Sequence, residues 1–459
     1  MIDKRLAGEV LAKAMSGGAD FAEIFCELTR NNSITLIDKK IEKIHDNVIS
    51  GVGIRAFYGT QTVYASTCDL SRVGLLACAA KVADVISLDR KISSVNLTER
   101  IFRNIHPVAI ESVGADMGRK IDLLKLGCNT AENYDKLIAQ AQGSLACVDR
   151  TIWVANTEGL FTSDRHVRTR MYITAFAEQN SEKQSGMCGP GSGMGLEMFD
   201  TFKPEDIGAE AARHALVNLH ADYCPAGKMT VAIENGFGGV IFHEACGHSL
   251  EATCVGIGNS KMCGKLGQKI ANEKITAIDD GTIPGAWGST NIDDEGHPTQ
   301  KNILIENGVL KNYMIDRLGS LRMGMPTTGS GRRESYLYEP TSRMTNTYID
   351  NGPDKNEDII KSMEYGLYAK KMGGGSVNPL TNDFNFAVSE GYIVRNGEIC
   401  EPVRGASLIG NGAEILNLID MVGQNLARGQ GVCGSISGSV PTDVGQPLIR
   451  VSSITVGGR

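Results

Sequence analysis

The chain has 459 residues, 42% of them hydrophobic and 22% charged, with a formal net charge of −7. That length gives room for two or three domains with ample cores. The acidic balance, with no run of Lys or Arg, argues against nucleic-acid binding, and no apolar stretch is long enough to span a bilayer.

Residues 4–16 recur at helical spacing (Leu6, Val10, Leu11, Ala14). The stretch 21–66 reads as strands: FAEIFCEL, NSITLIDKKIEKI, VGIRAFYG and TQTVYAS, with a hairpin turn at Gly59-Thr60. Residues 70–87 return to helical periodicity, and a further helix is expected over about 116–140. Strands follow at 143–156 and 159–178, joined by Asn156-Thr157-Glu158-Gly159. The Gly- and Ser-rich segment 180–196 reads as a loop, and 204–219 as a helix.

Cys224-Pro225-Ala226-Gly227 breaks the helical pattern, so the main boundary is placed near 222. This gives an N-terminal α+β domain, 1–221, with an antiparallel sheet and a division into about 1–95 and 110–221. The C-terminal domain, 222–459, is expected to be mostly antiparallel β. Hairpins are predicted around Asn307-Gly308 and Asn396-Gly397, and a short helix within LIGNGAEILNLIDMV. Gly373-Gly374-Gly375 lacks the Lys-Ser/Thr of a phosphate loop and reads as a turn.

Within that second domain, a small-to-apolar run (Gly239, Val240, Ile241, Phe242) leads into His243-Glu244-Ala245-Cys246-Gly247-His248. Two imidazoles beside a carboxylate suit a zinc ion with a general base next to it. The common zinc-protease helix spaces its histidines four apart, on one face. Five steps of a regular helix would set the side chains roughly 140° apart. A π-bulge or kink is therefore required, least costly at Gly247, which has no Cβ.

A hydrolytic zinc site keeps three protein ligands and an open position for water. The sequence offers many candidates for the third. Cys433 stands out because it lies in Gly429-Gln430-Gly431-Val432-Cys433-Gly434, where glycines let backbone approach an ion; the alternative is a buried thiol in a turn. Glu244 is the candidate base that takes the proton of the attacking water, against a reading as a solvated helix acid. Glu251 could orient an imidazole, but a surface position is the expected one. Cys246 is read as a core thiol, and Asp293-Asp294-Glu295-Gly296-His297 as a solvated acidic loop. The remaining histidines (His45, His106, His166, His214, His220) are isolated and read as structural.

Twelve cysteines are scattered without a Cys-x-x-Cys pair, and the start MIDKRLAGEVLAKAM has no signal-peptide core. Both point to a reducing cytoplasm.

Over nearly its whole length the chain resembles the TldD/PmbA family of zinc metallopeptidases, some labelled modulators of DNA gyrase. The resemblance rests on ISGVGIRAFYG in the N-terminal region. In the C-terminal region it rests on GGVIFHEACGHSLEA, DEGHPTQKNILIENGVLKNYMIDR, GSGRRESYLYEPTSRMTNTYI, SEGYIVRNGEICEPVRGASLIGNG and GVCGSISGSVPTDVGQP. It implies a C-terminal β domain carrying the metal, with His243, His248 and Cys433 as Zn2+ ligands and Glu244 as base. It implies that this chain, which keeps the histidine motif, is similar to the metal-bearing TldD-type subunit. Its expected partners are peptide or unfolded-protein substrates and a PmbA/TldE-type paralogue in a heterodimer, or a second copy in a homodimer.

The leading expectation is a cytoplasmic zinc peptidase that cleaves unfolded peptides with metal-activated water. The competing one is a regulatory protein-binding module, of the gyrase-modulator kind, whose zinc is structural and closed by four protein ligands. A small-molecule amidase would share the same site.

Overall fold

The structure is a computed structural model and describes residues 2–86, 95–378 and 381–458. It is mixed α+β, with mostly antiparallel sheets and a C-terminal β domain that contains a closed barrel. Among the described residues no helix is long and apolar enough to cross a membrane.

Helix α1 (Lys4–Met15) starts where the Asp3 carboxylate accepts the Leu6 amide, and it buries Val10, Leu11 and Ala14. Strands β1 (Phe21–Ile37), β2 (Lys40–Tyr58) and β3 (Gln61–Thr67) form a meander, and α2 (Arg72–Ile86) packs beside α1. The predicted helix 70–87 thus matches α2, with residue 87 outside the described residues. The sequence reading joined 32–44 into one strand, whereas a tight hairpin turns at Asp38-Lys39, both with positive φ. Such a turn matches the strand twist, and neither residue type announced it.

Helix α3 (Met117–Glu132) leads to β4 (Ile138–Asn156) and β5 (Leu160–Gln179). One sheet, ordered β3-β2-β1-β4-β5, runs through both halves of this region. The expected loop at 180–196 is instead largely paired: β6 (Glu182–Cys188) folds back on β5 through a turn at Asn180-Ser181. Its small residues pack tightly, since a Cβ on Gly186 would meet Ala215 N at 2.2 Å on helix α4 (Pro204–His220).

Period-two alternation divides this sheet cleanly. One face sends Ile24, Ile54, Leu145 and Met171 into apolar cores beneath the four helices. The opposite face carries Glu23, Glu27, Arg55, Arg150, His166 and Arg168 and is covered by the C-terminal domain.

That domain opens with β7 (Gly227–Ile233) and a short helix α5 (Val240–Ala245). A mixed sheet contains β8 (Ala277–Asp280), β9 (Lys301–Glu306) and β10 (Asn346–Ile349). The barrel uses β11 (Tyr365–Val377), β12 (Asp383–Arg395) and, beyond β13 (Glu398–Arg404), β14 (Ser407–Asn411). The hairpins at Asn307-Gly308 and Asn396-Gly397 and the short helix Gly412–Leu418 form as expected. Gly373-Gly374-Gly375 does not make a turn: it lies inside β11, where the register to β12 slips between Met372 and Gly375.

The chain ends with β15 (Ala427–Ser435), β16 (Gly438–Gln446) and β17 (Ile449–Gly457). The pairings β11-β7-β17-β14-β12, together with β12 back to β11, close the barrel. Strand β16 pairs in parallel with β10, and β15 forms the outer edge of the mixed sheet. Helix α5 packs between this sheet and the barrel, with Ile241 and Phe242 fully buried in the largest core.

Candidate metal centre

The His243–His248 segment is not one regular helix. Helix α5 stops at Ala245, Cys246 leaves helical geometry at φ −128°, and Gly247–Leu250 forms a separate 3-10 turn. The required distortion is thus a break between two short helices rather than a π-bulge. It falls beside Gly247, where a Cβ would meet Met344 Sδ at 2.4 Å. The start of α5 is equally confined, since a Cβ on Gly239 would lie 2.4 Å from the Gly445 backbone of β16. The helix carrying His243 and the hairpin carrying Cys433 therefore sit in direct backbone contact.

The break brings the two rings together edge to face, with centroids 5.0 Å apart. Cys433 on β15 completes the group: its Sγ lies 3.3 Å from His243 Nε2 and 3.3 Å from His248 Nε2. All three donor atoms lie within 4.8 Å of one another. Tetrahedral zinc bonds of about 2.3 Å to sulfur and 2.0–2.1 Å to nitrogen imply S···N separations of roughly 3.5 Å, close to those found. One thiolate and two imidazoles is also a donor set suited to zinc, so these residues fit a divalent ion of that kind.

The electrostatics agree. Burial alone would push the Cys433 thiol up, but the hydrogen bonds and charges of His243 and His248 outweigh it and bring the pKa down to about 4. The sulfur is thus a thiolate, the form that binds metals. Burial opposes charge on His248 as well, yet Glu251 and Cys433 raise its pKa well above that of a free imidazole.

Glu244 sits on the open side of the group. Its Oε2 is 3.7 Å from His248 Nε2, and both side chains are about one quarter exposed, whereas His243 is buried. The carboxylate of Glu244 thus lies beside the two imidazoles, and Cys246 is a buried core thiol.

Two expectations fail. Glu251 is not on the surface: it is 4% exposed, and its carboxylate accepts His248 Nδ1–H at 3.2 Å. Its backbone bridges to Met314, from a distant segment. The acidic stretch Asp293–His297 is not a solvated loop either, since Asp293, Asp294 and Glu295 are all buried. It is roofed by the charged face of the N-terminal sheet, where Arg55 pairs with Glu295. His45 and His220 stay apart from the metal group, as do His106, His166 and His214.

Sequence reasoning missed Arg343. It is fully buried, and its guanidinium donates to the carbonyls of Cys433 and Gly438 and to Ser437 Oγ. It pins the hairpin that presents the thiolate. Nothing local in TSRMTN signals this, because its partners lie about ninety positions away.

Comparison with known proteins places the chain in a family. Residues 22–87, 112–219 and 226–458 match, in turn, domain 1, the central domain and the C-terminal domain of the PmbA/TldA metallopeptidases. The "Metalloprotease TldD homolog" of Haemophilus influenzae is 38% identical over 96% of this chain and 93% of its own length. The "Zinc metalloprotease TldD homolog" of Saccharolobus solfataricus is 26% identical, over 98% of this chain and 99% of its own. A crystal structure from Thermotoga maritima, of a candidate modulator of a DNA gyrase, shares the fold with a TM-score of 0.79 at 22% identity, covering 98% of each chain. From these matches along its length, the chain belongs to the PmbA/TldD family of metallopeptidases.

Proposed function

We propose that the chain is a zinc peptidase in which His243, His248 and Cys433 hold the ion and Glu244 is the catalytic base. The observation that carries this reading is the convergence of one thiolate and two imidazoles with a carboxylate on their open side. Zinc appears in the name of the Saccharolobus solfataricus relative. A bound zinc ion would act there as a Lewis acid on the scissile carbonyl.

The chain's own residues supply the remaining steps. Glu244 takes the proton from the attacking water and returns it to the leaving amine. Glu251 holds His248 in the tautomer with hydrogen on Nδ1, which keeps the Nε2 lone pair toward the ion. Among the described residues only three metal-ligating atoms converge, which supports an open catalytic site over a closed four-ligand one.

The substrate class is unfolded peptide, cut in a chamber shared with a second subunit of the same family. The compartment is a reducing cytoplasm, supported by twelve unpaired cysteines.

Glu244→Gln tests the assignment. The variant should keep its zinc and lose peptide cleavage by at least about a hundredfold. Cleavage at the parent rate with zinc retained would remove Glu244 from the mechanism.

A further inference from the structure

The charged face of the N-terminal sheet encloses a second site, apart from the metal. Arg150 on β4 and His166 and Arg168 on β5 meet Asp293, Asp294, Arg332 and Arg333 of the C-terminal domain around a small cavity of about 10 Å³. Arg168 and Arg332 are each 5% exposed, and Arg333 is fully buried.

The cations here have few acids in direct contact, although Asp293 and Asp294 also line the cavity. Arg168 donates to the main-chain carbonyls of Trp287, at 2.8 Å, and Ser289, at 3.5 Å. Arg332 donates to the carbonyls of Met344 and Pro441. Among the described residues neither guanidinium forms an ion pair. Arg150 has only long ones, 3.4 Å to Glu27 and 3.7 Å to Asp294. Arg333 alone is well matched, by Glu23 at 3.0 Å.

The nearby carboxylates are partly engaged by main-chain amides. Asp294 Oδ2 accepts the Arg333 amide, and Asp293 accepts the amides of Glu295, His297 and Gly331. Carbonyl dipoles solvate a guanidinium but bring no counter-charge into contact, and Asp294 acts on Arg168 and Arg332 only from a distance, a costly state in a buried site. The crowding is felt: burial, then the neighbouring Arg332 and Arg150, bring the Arg168 pKa down to about 9. His166 adds a buried Nδ1 with no protein partner.

We propose that this cavity binds a small inorganic anion, held by Arg150, Arg168 and Arg332, which fastens the N-terminal sheet to the metal domain. Guanidinium forks suit oxyanions, and the same positive charge attracts halides. A space of this size has room for about one water-sized occupant, so it takes a small anion and not a nucleotide or a peptide chain. Val440 and Pro441 line the cavity and pair in register with Cys433 and Val432. The anion therefore backs the hairpin that presents the metal-binding thiolate.

The test is thermal unfolding of the full, zinc-loaded chain at neutral pH and constant ionic strength. Gluconate, too large to enter, is replaced stepwise by chloride, nitrate or phosphate. Binding to the folded state predicts a saturable rise in Tm of about 2–4 °C for at least one of them. The rise should vanish in Arg168→Met and persist in His248→Ala, which separates this cavity from anions landing on the metal. Crystals grown in bromide should show an anomalous peak among Arg150, Arg168 and Arg332, which takes the place of the variant comparison if Arg168→Met does not fold. Equal Tm in every anion would overturn the proposal, even with a bromide peak, which would then be an adventitious ion only. So would a rise that survives in Arg168→Met.

Discussion

Glu251 is buried and accepts a hydrogen bond from His248 Nδ1 at 3.2 Å. This contact fixes which nitrogen of His248 faces Cys433. Without it the ring could turn or carry its hydrogen on Nε2, and the ion would lose a ligand. Glu251→Ala should leave the fold intact and weaken zinc binding about 10–100-fold, measured by competition with a chromogenic chelator. Unchanged affinity would mean that packing alone orients His248.

The junction between the N-terminal sheet and the C-terminal domain depends on charge. Arg55 is fully buried and pairs with Glu23 at 2.9 Å and with Glu295 across the junction. Arg55→Met leaves Glu295 in the interior without its cation and Glu23 with Arg333 alone, and should cost about 3–5 kcal/mol in denaturant unfolding. Adding Glu295→Gln should restore part of that loss, because the two groups share one network. Strictly additive losses would contradict the coupling.

A second link joins α4 to β12. Arg213 donates to both oxygens of Glu390, at 3.0 and 2.6 Å, and Tyr392 Oη donates to it at 2.8 Å. Burial opposes the charge on Glu390, but these partners take its pKa from 4.5 down to about 2. The folded chain thus holds fewer protons on this group than the unfolded chain between those values. Its contribution, on the order of 2 kcal/mol, is complete above pH 4.5 and is lost as pH falls toward 2. Stability against pH should fall less steeply in that window for Glu390→Gln than for the parent chain. Parallel curves would exclude this role.

Local features were readable from the sequence, while those made by distant partners were not. His243, Glu244 and His248 share one short segment, and the five-residue spacing required a break near Gly247, which the structure has at Cys246. Cys433 lies 190 positions from His243, so its glycine-rich surroundings made it one candidate among many and only the family resemblance implied it as a ligand. Glu251 read as a surface residue and Asp293–His297 as a solvated loop because composition tracks average exposure. Both are buried by segments that arrive from elsewhere in the fold. The 180–196 hairpin was hidden by its Gly and Ser content, which serves close packing on α4 rather than flexibility. Most helices and the Asn-Gly hairpins followed from periodicity and turn chemistry, which need no tertiary information.

The central claim is that one thiolate and two imidazoles hold a single zinc ion. X-ray absorption at the zinc edge of the purified chain addresses it directly. The account predicts one zinc per chain with one sulfur at about 2.3 Å and nitrogen neighbours at about 2.0 Å, the sulfur signal disappearing in Cys433→Ser. A zinc shell without sulfur in the parent chain would contradict it.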